Sequence, residues 1–519
     1  MKPVISFEVA GFFVFMVVFM GFFDEAKTTY QNSKKQYSLI NQVTSPCIEI
    51  LRYDTSTKSL KSKVLLSQST ISKRTINIDT LQSYSFSRGI DNLDGSFTLR
   101  LKDKFVNGSN VFDTIENFDI VKIKENVNRS PYSVDFVGVV HSVKISSSIG
   151  SDGKVRKEIS ISGKSAISLF SDCFINLGRV GTTLYNIDAA NIKIKDTFTE
   201  TSKKDGKLCF KAKTIRKIVE DSWAGFEEYL SGYYKAVSST TLMGIIKSLG
   251  MTDFSNVENI EHQIPISTDL FGEESVSFLS MLRKIIPEGA YQFYSKDDTS
   301  LTIKENPYCA EKWKSLTNKT VNLNFLTNYD FEKTDREVYT VFLTQVEGSA
   351  IDSEFVAKLS ANESGLIQSM TSKTEKIAKY GYKPLTVSFL GYVQNKAVDS
   401  SDDKQIFETF NKKLKEWYEH IDELLAGKVK IVNAYEKQDD IPKIGEKLIF
   451  MLYNNKIQKT EFYIKSETHS WSYGSSPVIE YLVERGAVYS NTGSFQEMSK
   501  GFSTSLEIAL GNKKNDSEV

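Results

Sequence analysis

The chain has 519 residues, with 65 Lys and Arg against 65 Asp and Glu, 33 Phe and 24 Tyr. That length holds about three or four domains. Zero net charge excludes the basic excess of a nucleic-acid footprint, so no direct sequence-specific nucleic-acid partner is expected. The four cysteines, Cys47, Cys173, Cys209 and Cys309, lie too far apart for a CxxC metal pattern or a dense disulfide framework, and read as reduced thiols in a chain assembled in a cytoplasm.

Val9–Phe23, VAGFFVFMVVFMGFF, has no polar side chain. As a helix it is apolar on every face and must be buried in something. It would be about 22 Å long, short of the ~30 Å of a bilayer core. One Lys in front and FFDEAK behind make it a poor signal peptide. Two readings stand: a membrane-inserting or anchoring segment, and a segment packed against partner subunits. Either way Phe12, Phe13, Phe15, Phe19, Phe22 and Phe23 are the candidate membrane or lumen contacts. Residues 24–43 are polar and read as a spacer.

From Pro46 the pattern turns to strands. CIEILRY and a stretch within Val64–Ile78 are candidates, followed by Tyr84–Asp103, where Asp94-Gly95 marks a hairpin turn and Phe97, Leu99 and Leu101 alternate with Thr98, Arg100 and Lys102. Asp119–Lys124 and a long hairpin over Phe136–Gly163 bring the count to about six strands, the spacing of a sandwich or barrel. The next part is mixed. KTIRKIVEDSWAGFEEYLSGYY and Thr240–Gly250 read as helices, the second stopped by Gly250. Glu273–Pro287 reads as another, and Ala290–Tyr294 and Leu301–Glu305 as a hairpin around Asp297-Asp-Thr-Ser300.

Val321–Gln345 and Leu385–Val393 read as strands again. Ser401–Gly427 reads as one helix, with an apolar stripe through Ile406, Phe410, Leu414, Trp417, Ile421, Leu424 and Leu425 and a stop at Gly427. Lys428–Val432, Gly445–Leu452 and a hairpin over Glu461–Gly486 follow. In that hairpin Phe462, Ile464, Ser466, Thr468 and Ser470 share one face, and Tyr463, Lys465, Glu467, His469 and Trp471 the other. It has the plan of the earlier hairpin. Both outgoing strands carry His-Ser, His141-Ser142 and His469-Ser470, with an apolar residue (Phe136, Ile464) five places before the His. Each is preceded by a short strand, Asp119–Ile123 or Gly445–Ile449. His141, Ser142, His469 and Ser470 are therefore expected at equivalent positions of one unit used twice.

The expected fold class is β-rich α+β, with two β-domains of sandwich or barrel type, made tube-like β-barrel domains by the family resemblance given below, an α+β module between them and an apolar N-terminal segment. The boundaries are 1–45 for the N-terminal segment and spacer, 46–170 for the first barrel and 171–320 for the helical and α+β module. The second barrel takes 321–400 and 428–490, with the helix 401–427 inserted, and 491–519 is a polar tail.

No chemistry-bearing pattern emerges. The four histidines, His141, His262, His420 and His469, fit neither HExxH nor a zinc spacing. There is no P-loop, no GxGxxG after a strand and no GxSxG elbow. Glu227-Glu228 reads as a helix face and Asp297-Asp298 as a turn. No enzyme, catalytic residue, cofactor or metal site is expected.

In order along the chain, FSRGIDNLDGSFTLRLKD, FDIVKIKE, VDFVGVVHSVKIS and EISISGKS resemble the first barrel of phage baseplate hub proteins. This is the group that includes the late control protein D family, with relatives in type VI secretion spikes. Glu274–Glu305 resembles its middle module. IPKIGEKLIF and EFYIKSETHSWSYGSSPVIEYLVERG, ending on Arg-Gly, resemble its closing segment. The resemblance spans about Pro46–Gly486. It implies a structural hub in the virion tail baseplate, a homotrimer whose doubled barrels present six units to a sixfold tail tube, with a central spike protein on the other face and the tape-measure protein near the N-terminus. The apolar N-terminus departs from the family. The alternative it raises is a membrane-anchored β-domain binding or adhesion protein.

Overall fold

The computed structural model describes residues 46–488, less 68–80, 126–133, 177–212, 234–240, 263–274, 348–366, 391–399 and gaps of one to three residues elsewhere. Val9–Phe23, with its six candidate phenylalanines, lies outside the described residues. Among those described, no helix is long and apolar enough to cross a membrane.

The strands of the first half are β1 (Cys47–Asp54), β2 (Ser59–Ser67), β3 (Leu81–Gly89), β4 (Ser96–Lys102), β5 (Ile120–Lys124), β6 (Phe136–Ile149) and β7 (Val155–Ser165). A short hairpin, β8 (Tyr291–Tyr294) and β9 (Thr302–Glu305), lies in the middle of the chain. Then come β10 (Asn318–Thr320), β11 (Leu326–Glu332), β12 (Val341–Glu347), β13 (Ile367–Thr371), β14 (Pro384–Leu390), β15 (Leu425–Val432), β16 (Lys447–Asn454), β17 (Lys456–Ser472) and β18 (Val478–Val488). The four longer helices are α1 (Ile215–Tyr233), α2 (Thr241–Ser248), α3 (Phe278–Ile285) and α4 (Ser400–Tyr418).

The two strand-rich parts are not closed barrels. They belong to one 13-stranded sheet in the order β11-β15-β18-β17-β3-β4-β7-β6-β5-β1-β2, with β16 on the first half of β17 and β10 on β16. The sheet folds into two lobes, each with its own core. Ile48, Ile50, Phe86, Phe97, Leu99, Ile123, Phe136 and Ile161 fill the first. Val429, Ile431, Leu448, Phe450, Phe462, Ile479, Tyr481 and Val483 fill the second. The lobes are continuous because β17 is long enough to serve both: Lys456–Tyr463 pairs with β16, and Ser466–Ser472 pairs with β3.

Five strands of the first lobe recur in the second and share a turn and two β-bulges, while the second lobe adds register shifts at Leu425/Gly427 and Glu461/Tyr463. Ahead of β5, Phe118 N–H donates to the Val140 carbonyl and Val140 N–H to the Asp119 carbonyl, each at 2.9 Å. Ahead of β16, Gly445 N–H donates to the Ile464 carbonyl at 3.0 Å and Ile464 N–H to the Glu446 carbonyl at 3.1 Å. Phe118 and Gly445 share a left-handed backbone, φ 69° and 74°. The acid that follows each accepts from the backbone three residues back: Glu116 N–H to Asp119 at 2.8 Å, and Lys443 N–H to Glu446 at 3.1 Å. A β-bulge then falls between Val140 and Ser142 on β6, and between Ile464 and Ser466 on β17. Another falls between Leu81 and Ser83 on β3, and between Leu326 and Asn328 on β11. The unit β3-β4-β7-β6-β5 thus matches β11-β15-β18-β17-β16. The match stops at the next strand, since β1 joins β5 antiparallel and β10 joins β16 parallel.

This register corrects the histidine pairing. The counterpart of His141 is Lys465, each being the extra residue of its bulge, and the counterpart of Ser142 is Ser466. His469 and Ser470 lie further out along β17. His141 is exposed and His469 is 3% exposed. Turn and bulge fix the register, and the shared His-Ser pair is incidental to it. Before the bulge Glu461, Phe462, Tyr463 and Ile464 are all buried; past it burial alternates, with Glu467, His469 and Trp471 buried and Thr468, Ser470 and Ser472 exposed.

The strands over 341–390 do not join the second lobe. β12, β13 and β14 form a separate three-stranded sheet. Phe342 and Val387, with Phe410 and Leu414 of α4, enter the same core as Phe170, Trp223, Phe254, Phe278, Tyr291 and Phe293. The helix expected to end at Gly427 ends at Tyr418. Lys376 intervenes there, its ammonium binding the Glu419 carbonyl and the Asp422 carboxylate. The apolar stripe ran on because the turn and β15 bury Leu424, Val429 and Ile431 in the second core. Gly427 lies in β15, where a Cβ would come within 1.9 Å of the Asp330 carbonyl oxygen.

Candidate functional site

The strongest concentration of buried charge lies where both lobes meet the middle module. Alternation along β3 puts Tyr84, Phe86 and Arg88 on the core side. Arg88 is 7% exposed; on β17, Glu467 and His469 are 1% and 3% exposed. The third contributor is the β8–β9 turn. There Asp297 accepts from Thr299 N–H at 3.0 Å and Ser300 N–H at 2.7 Å, a side-chain-closed turn. That turn leaves Asp298 in a left-handed conformation (φ 65°), which Asp tolerates better than most residues, and points it inward.

Asp298 is fully buried. Its carboxylate takes both Nε and Nη2 of Arg88, the Ser165 hydroxyl at 2.8 Å and Val137 N–H at 3.0 Å. Arg88 Nη1 donates to Glu467 at 2.8 Å, and Nη2 also reaches the Asp135 carbonyl. Beside this fork His469 Nδ1 lies 3.0 Å from Glu125 Oε2, and its Nε2 lies 3.9 Å from Glu467 Oε1. Glu125 also accepts from the Tyr84 hydroxyl at 3.2 Å and from the Asn433 amide. The His469 ring stacks on Phe86 with centroids 4.4 Å apart. Bidentate, charge-assisted bonds of this kind are the strong ones, and they offset the desolvation of the charges only when every partner is in place.

Burial pulls His469 down, but Glu125 and Glu467 outweigh it, and its pKa stands above the usual histidine value. Arg88 is likewise depressed by burial and raised on balance by Asp298 and Glu467. The sign follows for His469. Its contribution is fully present below about pH 6.5, the unfolded value, and is lost as pH rises through the higher folded value. Thermal unfolding scans from pH 6 upward are expected to show a declining midpoint, and His469→Gln is expected to flatten that decline. An unchanged slope in the variant would remove His469 as its source.

A second seam ties the middle module to the second lobe. Lys296 pairs with Glu446 at 3.0 Å, and the Trp313 indole N–H donates to Glu461 at 3.2 Å. The Tyr463 hydroxyl bonds Gln292, and Glu461 also pairs with the buried Lys447 at 3.4 Å. At the end of β18, Arg485 lies 3.4 Å over the Trp417 ring of α4 and donates to the Trp417 carbonyl. This is the Arg-Gly noted in the sequence.

The carboxylates of the first seam are sealed from solvent, so the arrangement offers a substrate no approach; what it can do is hold three chain segments together. Among the described residues no group of three or more His, Cys, Asp or Glu is placed to hold a metal ion. Of the candidate site residues named from sequence, the seam includes His469; His141, Ser142 and Ser470 are exposed. Asp298 was read only as a turn residue, and Arg88, Glu125 and Glu467 were missed. The available signal was an Arg on the apolar face of β3 and a Glu-x-His-x-Trp face on β17.

No protein-family model and no curated protein matches the sequence. Among solved structures the chain is similar to the 43 kDa tail protein of prophage MuSo2 from Shewanella oneidensis, at 12% identity and a TM-score of 0.45, covering 85% of this chain and 98% of that one. It is also similar to a tail protein from Neisseria meningitidis, at 10% identity and 0.43, covering 87% and 99%. A third is an E. coli type VI secretion component described as resembling T4 bacteriophage tail proteins, at 9% identity and 0.33, covering 80% and 74%. These are phage tail proteins and a secretion component, the group that the sequence motifs resemble.

Proposed function

We propose that the chain is the structural baseplate hub of a contractile phage tail or a related injection machine, located in the virion tail baseplate. In this reading it is a homotrimer that joins a sixfold tail tube protein to a trimeric central spike protein and transmits force when the envelope is penetrated. The observation that carries it is the five-strand unit used twice within one sheet, with matching turn and bulges. A threefold assembly of a doubled unit offers six similar surfaces to a sixfold partner. The buried seams support the mechanical part, since they tie both lobes to the middle module through charges that are costly to separate. The apolar Val9–Phe23, with Phe12, Phe13, Phe15, Phe19, Phe22 and Phe23, is assigned to the lumen side, towards a tape-measure protein.

That same run favours the second reading, a membrane-anchored binding or adhesion protein. Native mass measurement on the full chain and on a form lacking residues before Val43 separates the two. The hub reading expects trimers from both forms and uptake of a tail tube protein. The anchor reading expects a monomer that loses membrane association on truncation.

A further inference from the structure

We propose that neighbouring copies of this chain join by antiparallel pairing of two free sheet edges, the outer half of β6 on one copy and β11 on the next. This rests on the hub reading only for the number of copies in the ring.

Both edges are open among the described residues. β5 covers β6 only over Phe136–Val139. From Ser142 to Ile149 β6 has β7 on one side and no strand on the other. β7 in turn is covered by β4 only from Glu158 onward. The arm therefore ends in a two-stranded ribbon, Ser147–Ile149 on Val155–Lys157, that stands clear of the sheet and is marginal by itself in water. It carries Ile145, Ile149 and Val155 at 39%, 76% and 63% exposure. It has no proline or inward charge to blunt its edge. β11 ends the sheet on the other lobe, paired with β15 alone, and exposes Tyr329 at 44%.

The internal repeat says what covers the arm. Its counterpart in the second lobe is Ser466–Ser472 of β17, and that edge is occupied by Gly89–Ser83 of β3. The counterpart of β3 is β11. Inside one molecule the edge strand of the first lobe therefore already sits on the arm of the second. Repeating that step between molecules places β11 of one copy on the β6 arm of the next. The register transfers with it, through Phe86 to Phe331 and His469 to Ile145. Lys144 then lies opposite Glu332, Ile145 opposite Phe331, and Ser147 opposite Tyr329. The internal versions of the last two pairs are ring stacks, Phe86 on His469 and Tyr84 on Trp471 at 5.7 Å. The pairing places a cation against an anion and covers Ile145 and Tyr329. The contact is head-to-tail, and lobe-to-lobe steps of one kind close a ring when the rotation allows it.

The test is a charge exchange with a cross-link. Lys144→Glu and Glu332→Lys are each expected to weaken self-association of the full chain about fivefold per interface, as like charges come opposite each other. The double exchange is expected to restore it. Circular dichroism melts check that the exposed substitutions leave the monomer folded. Lys144→Cys with Glu332→Cys is expected to give a reducible ladder between chains on oxidation, and Lys144→Cys with Asp330→Cys much less. An oligomer indifferent to the reversals and without the in-register ladder overturns the pairing and leaves the hub reading standing. A ring that cross-links but takes up no tail tube protein keeps the pairing and sinks the hub reading. A chain monomeric throughout overturns both.

Discussion

Arg88→Ala is expected to destabilise the joint between the lobes by about 3–5 kcal/mol, the range for removing one partner of a buried ion pair. The guanidinium touches Asp298 of the middle module, Glu467 of the second lobe and the Asp135 carbonyl of the first at once. Its loss leaves Asp298 and Glu467 buried without the guanidinium that both of them bind. Calorimetry is expected to show the single-residue change splitting or broadening the unfolding transition, because the units lose their common tie. Arg88→Lys keeps the charge but gives up the two-pronged bond to Asp298, and is expected to fall between. Replacing all three charged residues by uncharged ones of similar size is expected to recover much of the loss. A change below about 1 kcal/mol for Arg88→Ala would show that the fork contributes little.

Trp417→Ala is the second large effect, about 3–5 kcal/mol for a buried tryptophan. Trp417 is 3% exposed and meets the Tyr463 ring edge-on at 5.9 Å. It is also the ring on which Arg485 lies. Burial already holds the Arg485 pKa below the usual arginine value. Removing the ring withdraws a cation–π contact worth up to about 2 kcal/mol in a desolvated setting and leaves the guanidinium beside a cavity. Trp417→Phe keeps an aromatic face and is expected to cost less. Hydrogen exchange should report the alanine variant as faster opening of α4 and β18, with the first lobe unaffected. Equal acceleration in both lobes would mean that the contact is not local to α4.

Much of the fold was legible in residue order. Alternation in Tyr84–Asp103 and in both long hairpins gave their strands, because a half-buried strand must alternate. Other features misled. The stripe through Leu424 and Leu425 lengthened α4 on paper, since apolar spacing does not say which core receives a side chain. The His-Ser pairs put the two hairpins out of register, since bulges at His141 and Lys465 leave no mark on composition.

By itself the sequence determined that this chain is β-rich, that its strands carry a duplicated plan, and that an apolar run precedes them. Only the tertiary structure decided that the strands form one sheet in two lobes, that residues 341–390 pack with the middle module, and that Arg88 links Asp298 to Glu467 with the His469–Glu125 pair beside them. The physical reason is distance along the chain. Periodicity reports what each strand buries locally, while a salt bridge between Arg88 and Asp298, or a strand shared by two lobes, exists only once remote segments are brought together.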